Sequence, residues 1–224
     1  MTSRVLTRET VVDAAVQLLE RDGSDRFSVR ALADSLGVAP AAVRWHAGSR
    51  ELLLLLAVDA VLTSASEADD AGLAWPDRVR LLASRLRTAL LAHPQTALVA
   101  RDRLFWAPSA GRVNDVLLTI LTDAGFNDEQ RLHAHNSLLL FVLGATWVEI
   151  AQATASQSPI AEVAASLPAA YTSIAAQELG RRLAQWQSPP ETTVLDESFR
   201  LGLEALLTGL PAPARAAPAA SVTR

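Results

Sequence analysis

The most legible chemistry in this sequence lies between Ser28 and Arg44. Arg44 carries a planar fork of donors that matches the edge of guanine or the oxygens of a phosphate. Pro40, Ala41 and Ala42 precede it and are small, so a backbone built from them can approach base edges. Alanine methyls also suit the methyl group of thymine. Ser28 marks a helix start, where free backbone N–H groups can receive a phosphate. Taken together these residues point to the reading of double-stranded DNA.

That chemistry needs a frame of two closely crossing helices. Ala33 is small enough for the crossing, and Gly37, four positions later, tolerates the positive φ of the turn. Leu32, Leu36, Val38 and Val43 supply the apolar contacts that lock the pair. Spacing alone also fits two short amphipathic helices around a glycine turn with no DNA role.

Elsewhere apolar residues recur three and four apart and β-branched alternation is rare, which predicts an all-α chain. The first helix is expected from Thr7 to Asp22-Gly23, with Val12, Ala15, Leu18 and Leu19 as its stripe. The second runs from Ser28 to Leu36-Gly37, with Phe27 and Leu32 at the spacing of a hydrophobic staple. The third starts at Pro40, a residue favoured in the first turn, and closes around His46-Ala47-Gly48. Ser49 caps a fourth, reaching about residue 66. Trp75-Pro76-Asp77 is a break, followed by a helix over about 76–92 that stops at His93-Pro94. Residues 95–107 read as less regular. Helices over about 108–124 (stopped by Gly125), 128–154, 169–187 and 196–208 complete the chain, with Pro189-Pro190 as an interruption. The expected organisation is a DNA-binding unit over 1–50, a helical unit over 51–210 entered through the fourth helix, and a disordered Ala/Pro tail over 211–224.

Half of the 224 residues are hydrophobic, which implies a large core and apolar surface hidden in an oligomer. The longest nearly unbroken apolar stretch, 138–148, is shorter than the ~18 residues of a membrane span, and no membrane partner is expected. There is no cysteine and no apolar export segment, so disulfides and thiolate zinc sites are excluded and a cytoplasmic location is expected. The net charge of −4 is distributed unevenly: residues 1–50 carry seven arginines against six acidic residues, so the negative excess lies outside them. Every basic residue is arginine.

Residues 6–56 resemble the DNA-binding domain of the tetracycline-repressor (TetR) family. The matching pieces are residues 7–19, Phe27-Ser28, Leu32-Ala33, Leu36-Gly37-Val38, Trp45-His46 and Ser49-Arg50-Glu51-Leu52-Leu53. The Trp-His pair, His93-Pro94, Ala124-Gly125-Phe126, Leu143-Gly144 and the run from Phe199 to Leu210 are most similar to the tetracycline-repressor branch itself. The resemblance implies a helix-turn-helix transcriptional regulator, a repressor released from its operator by a small molecule. By position it implies Ser28, Arg30, Pro40, Ala41, Ala42, Arg44, Trp45, His46 and Arg50 as the DNA face, with Arg30 and Arg44 on bases and Ser28, Trp45, His46 and Arg50 on the backbone. Two positions depart from the family: Arg44 replaces a tyrosine that contacts a phosphate and can either do the same or read a base, which leaves the operator sequence open, while Arg50 replaces a lysine and keeps the charge.

The stretch 138–148 is apolar on nearly every face and must be covered all round. One side can meet a ligand cavity and the other the same helix of a second subunit. The resemblance implies a four-helix homodimer interface, assigned here to Leu138, Val142, Phe199, Leu203, Leu206 and Leu207; the same stripes would also suit an intrachain core. A dimer places two recognition helices about one DNA turn, ~34 Å, apart. For the cavity, the apolar candidates are Leu86, Leu90, Phe105, Trp106, Leu139, Leu143 and Trp147, and the polar ones His93, Arg103, Asn136 and Glu149. An apolar or aromatic effector suits such a wall. The positions where the family's namesake holds metal-binding histidines are Ala100 and Leu140 here, so no metal and no cofactor is expected. No phosphate loop, dinucleotide turn or nucleophile–base set appears, which argues against an enzyme. The rival reading is a helical small-molecule carrier that does not bind DNA.

Overall fold

Helix α1 (Arg8–Arg26) begins with a reciprocal cap: the Thr10 N–H donates to the Thr7 hydroxyl at 3.2 Å, and the Thr7 N–H donates to the Thr10 hydroxyl at 2.9 Å. Gly23, at φ 75°, breaks its last turn. Val11, Val12, Ala15, Leu18 and Leu19 form its buried stripe. The computed structural model describes residues 6–66, 69–155 and 192–210, all helix or connection, without a strand among them.

Helices α2 (Val29–Leu36) and α3 (Pro40–Ala47) pack on each other and on α1. The buried Phe27 and Leu32 occupy the staple positions expected of them. Helix α4 (Arg50–Ser66) starts where Ser49 accepts the Leu52 N–H at 3.2 Å, and it packs against α1 as well as the helices that follow. These are α5 (Trp75–Ala92), α6 (Pro94–Ala100), a 3₁₀ turn (Leu104–Trp106), α7 (Pro108–Asp123), α8 (Asp128–Ala155) and α9 (Thr192–Gly209). Buried apolar side chains form one cluster from Val11 to Leu207, continuous through α4. The fold is thus all-α, as the periodicity predicts.

Two features differ from the sequence expectation. Residues 95–107, read as less regular, contain α6 and the 3₁₀ turn. Pro94 ends α5 but also occupies the first turn of α6, a position proline favours. With only seven residues, of which Thr96, Ala97, Val99 and Ala100 are buried, α6 has no single stripe to betray it. The last helix starts at Thr192, earlier than residue 196. The expected helix over 169–187, the Pro189-Pro190 break and the tail lie outside the described residues.

Helix α8 is long and apolar enough to cross a membrane by length and composition. In this fold one of its faces, with Ala134, Leu138, Val142 and Ile150, is buried. Helices α5 and α8 are further joined through Arg87, which donates to Glu149 at 2.9 and 2.7 Å and also reaches Asp196 of α9. The Arg87 guanidinium lies 4.9 Å from the centre of the Phe199 ring. Phe141 of α8 packs on Gly202 of α9 so closely that a Cβ there would fall 2.5 Å from the ring.

Candidate DNA face and ligand cavity

The recognition surface is built from the turn outward. Ser28 caps α2 by accepting the Ala31 N–H at 3.0 Å. Gly37 ends α2 in the left-handed region, at φ 67° and ψ 31°, where a glycine avoids the clash of a Cβ. The next N–H, that of Val38, donates back to Ala33 at 3.0 Å. Ala33, Val43 and Ala47 are sealed inside, so the inner face of α3 is committed to the fold. Its outer face is not: Ala41, Arg44 and Trp45 are exposed, Trp45 to 82%, while Pro40, Ala42 and His46 are half-buried. The Trp45 and His46 rings meet edge to face at 4.6 Å. Arg30 on α2 is exposed as well, and among the described residues neither Arg30 nor Arg44 pairs with a carboxylate.

Arg50, assigned to the DNA backbone from the sequence, is also tied into the chain itself. Its Nε donates to the Phe27 carbonyl at 3.0 Å, one terminal nitrogen to the Ser24 carbonyl at 2.8 Å, and the other to Glu51 at 2.9 Å. It braces the corner between α1 and α2 against α4. Spacing could not reveal this brace, because the two partners that form it, Ser24 and Phe27, offer main-chain oxygens.

A cavity of about 260 Å³ opens between α4, α5, α7 and α8. Four expected residues line it: Leu86, Asn136, Leu139 and Leu143. Leu62, Leu104, Ala110, Val113, Asn114, His135 and Leu140 line it too and were missed by sequence reasoning. The signal for α7 was present, since Ala110, Val113 and Asn114 recur at helical spacing, but nothing in the chain says which stripe meets a void. The other expected ligand contacts lie elsewhere. Leu90 is core, His93 lines a separate groove with Arg85 and Thr88, and Trp106 is exposed. Arg103 donates to Glu51 at 2.7 Å, Glu149 is held by Arg87, and Trp147 lies half-buried outside the cavity wall. The side chain of Phe105 lies outside the described set. On α5 the cavity sits at mid-length, beside Leu86 and a turn before the end where Leu90 and His93 lie.

The strap between α5 and α7 connects this cavity to the recognition unit. At its start, Glu20 of α1 accepts the Gln95 N–H at 3.1 Å, the Thr96 N–H at 2.8 Å and the Thr96 hydroxyl at 2.7 Å. Near its end, Arg103 grips Glu51, and the next residue, Leu104, forms cavity wall. The hydrogen bond from Arg103, with that from Arg50, holds the Glu51 carboxyl below the ordinary range.

The dimer residues inferred from sequence require correction. Leu138, Val142, Phe199, Leu203 and Leu207 are buried within one chain, and Leu206 packs partly buried against the same core. They form the intrachain core that periodicity could not distinguish from an interface. The outward stripe carries Leu140, Gly144 and Val148 on α8 and Leu201 and Ala205 on α9. Leu140 is 74% exposed, and Val148 and Leu201 are each 54% exposed.

Comparison with known proteins agrees with this architecture. Residues 11–57 match the bacterial regulatory proteins of the tetR family, and residues 68–213 the tetracyclin repressor-like C-terminal domain. An HTH-type transcriptional regulator of Saccharopolyspora erythraea is 33% identical over 148 residues, covering 66% of this chain and 63% of that protein. A class D tetracycline repressor protein of Escherichia coli is 33% identical over 144 residues, covering 62% of this chain and 65% of its own length. The match therefore spans a little under two thirds of these two relatives. The Streptomyces coelicolor TetR family protein ActR in complex with actinorhodin superimposes with a TM-score of 0.68 at 28% identity, covering 92% of this chain and 97% of ActR.

Proposed function

Because this chain belongs to the TetR family of bacterial regulatory proteins, we propose that it is a homodimeric, cytoplasmic transcriptional repressor that releases its operator when a small molecule fills the cavity. Residues 1–50 form the DNA-reading unit and 51–210 the sensing and dimerising unit. The observation that carries this reading is the outer face of α3, where Arg44 and the largely exposed Trp45 project from a helix whose inner face is sealed. Arg30, Arg44 and the Pro40–Ala42 backbone read base edges; Ser28, Trp45 and His46 hold the phosphate backbone. A carrier without DNA binding leaves that face unused. The relatives named as a transcriptional regulator and a repressor support regulation over catalysis, and the actinorhodin complex of ActR supports the cavity as an effector site.

Release proceeds through the strap. Filling the cavity moves Leu104, and with it Arg103 and α6; these pull on Glu51 and Glu20, and so on α4 and α1. The distance between the two α3 helices of a dimer then ceases to fit successive major grooves. An effector achieves this only in proportion to its differential affinity for the two states. Binding to the DNA upstream of the protein's own gene, followed by fluorescence anisotropy across a salt series, tests the reading. Phosphate contacts give an affinity that falls steeply with salt. Binding that is absent, or flat with salt, rejects it.

A further inference from the structure

All the polar groups of the cavity wall stand together, and their hydrogen bonds fix what they offer a ligand. The Asn114 amide nitrogen donates to the Ala110 carbonyl at 2.9 Å. A carbonyl only accepts, so this amide cannot be turned end for end. Its oxygen therefore faces Nε2 of His135, at 2.9 Å, and that nitrogen must carry the proton. In a neutral imidazole the other nitrogen, Nδ1, is then an acceptor. It lies 3.3 Å from the side-chain oxygen of Asn136, and two acceptors cannot pair; this amide has no second anchor among the described residues, so it must turn its NH2 toward Nδ1 or yield that place to a ligand's donor. The rest of the wall is apolar and contains no aspartate, glutamate or arginine. With His135 neutral, a charged ligand would enter without a counter-charge, at a large desolvation cost.

We propose that the effector is a neutral, mainly apolar molecule that donates one hydroxyl or N–H hydrogen to Nδ1 of His135. Asn114 is the positioning residue that keeps this nitrogen an acceptor. The inference rests on the cavity being the effector site and adds the ligand's chemical class and the two residues that select it. One donor on an apolar body discriminates here, because a ligand without it leaves Nδ1 to the Asn136 amide alone.

Two probes differing only in the donor, 2-naphthol and 2-methoxynaphthalene, test this by calorimetry on the full chain at pH 8, where an ordinary imidazole is neutral. Wild type is expected to prefer 2-naphthol by roughly tenfold, the worth of one well-placed hydrogen bond. His135→Phe abolishes the preference while leaving the apolar contacts. Asn114→Leu reduces it although His135 remains. Two-bond ¹H–¹⁵N spectra show His135 protonated at Nε2 in wild type and as a tautomer mixture in Asn114→Leu, which a merely structural asparagine would not produce. Equal binding of the two probes to wild type, a preference that survives His135→Phe, or a proton on Nδ1 in wild type each overturns the proposal. If neither probe binds, the cavity is not an effector site, and the sensing half of the proposed function falls with it.

Discussion

The Glu20 carboxylate and Thr96 are joined twice, once through the backbone N–H at 2.8 Å and once through the hydroxyl at 2.7 Å, so α1 of the recognition unit caps α6 of the strap. Removing the carboxylate strands three donors, two of them on the buried Thr96 and one the Gln95 N–H. Glu20→Ala should cost about 1–3 kcal/mol. For a chain of this size that lowers the melting temperature by roughly 2–4 °C per kcal/mol. Thr96→Val should reproduce part of the loss, and the double variant should fall short of the sum, because both remove the same contact. Differential scanning calorimetry of the three variants checks this; full additivity would contradict it.

Arg44 and Trp45 make no contribution to the core, so their loss should be felt only by DNA. Arg44→Ala and Trp45→Ala are expected to leave the melting temperature within the change that about 0.5 kcal/mol produces. Arg44→Ala should also make the salt dependence of DNA binding shallower if it meets a phosphate, or relax base preference if it meets guanine. Arg50→Ala should behave in the opposite way: its brace to the Ser24 and Phe27 carbonyls is lost and the protein melts earlier. Thermal melts run beside anisotropy titrations separate the two kinds of residue.

At the contact between α8 and α9, Gly202→Ala should destabilise by about 1–3 kcal/mol, since its methyl would enter the Phe141 ring. Pairing this change with Phe141→Leu, which makes room, should recover part of the loss. Urea unfolding measures both; an unchanged midpoint in the single variant would show that the two helices can slide apart freely.

On the outward stripe, Val148→Glu and Leu201→Glu place charges on a face that is apolar and open in the single chain. Light scattering is expected to find wild type at twice the 23.9 kDa chain mass and these variants at or near that mass. Glutamates at Leu138 or Leu203 should instead prevent folding, because those positions are internal.

The tie between Glu51 and Arg103 should depend on acidity. The Glu51 carboxyl is depressed in the folded protein below an ordinary glutamate's, about 4.5, by its hydrogen bond from Arg103. Its contribution is therefore complete above the unfolded value and disappears as pH falls through the lower folded one. Wild type and Glu51→Gln should melt apart at pH 7 and converge in acid. Equal melting temperatures at pH 7 would mean that the exposed pair adds nothing.

The extent to which all this could be read from the sequence depended on how local the signals were. Gly37, Pro40, Ser49 and Gly125 act on their own neighbours, and the helices they bound emerged with little error. Helix α6 escaped because its start is capped from α1, a partner far away in sequence. The stripes of α8 and α9 were visible, but two faces of each helix are apolar, and only packing shows that Leu138 and Phe199 turn inward while Leu140 and Leu201 turn outward. Of the cavity candidates, Leu86, Asn136, Leu139 and Leu143 line the cavity, while Leu90 lies one turn farther along α5 than Leu86. His135 and Asn114 belong to different helices, so no spacing rule could pair them.

The brace at Arg50 carries a mechanical corollary. With the α1–α2 corner stapled to the root of α4 and the interior of the first three helices filled by Leu19, Leu32 and Val43, the head has no soft joint of its own. A push arriving at Glu20 cannot be absorbed by bending it. In the proposed release the block would therefore swing as a whole, carrying α3 with it.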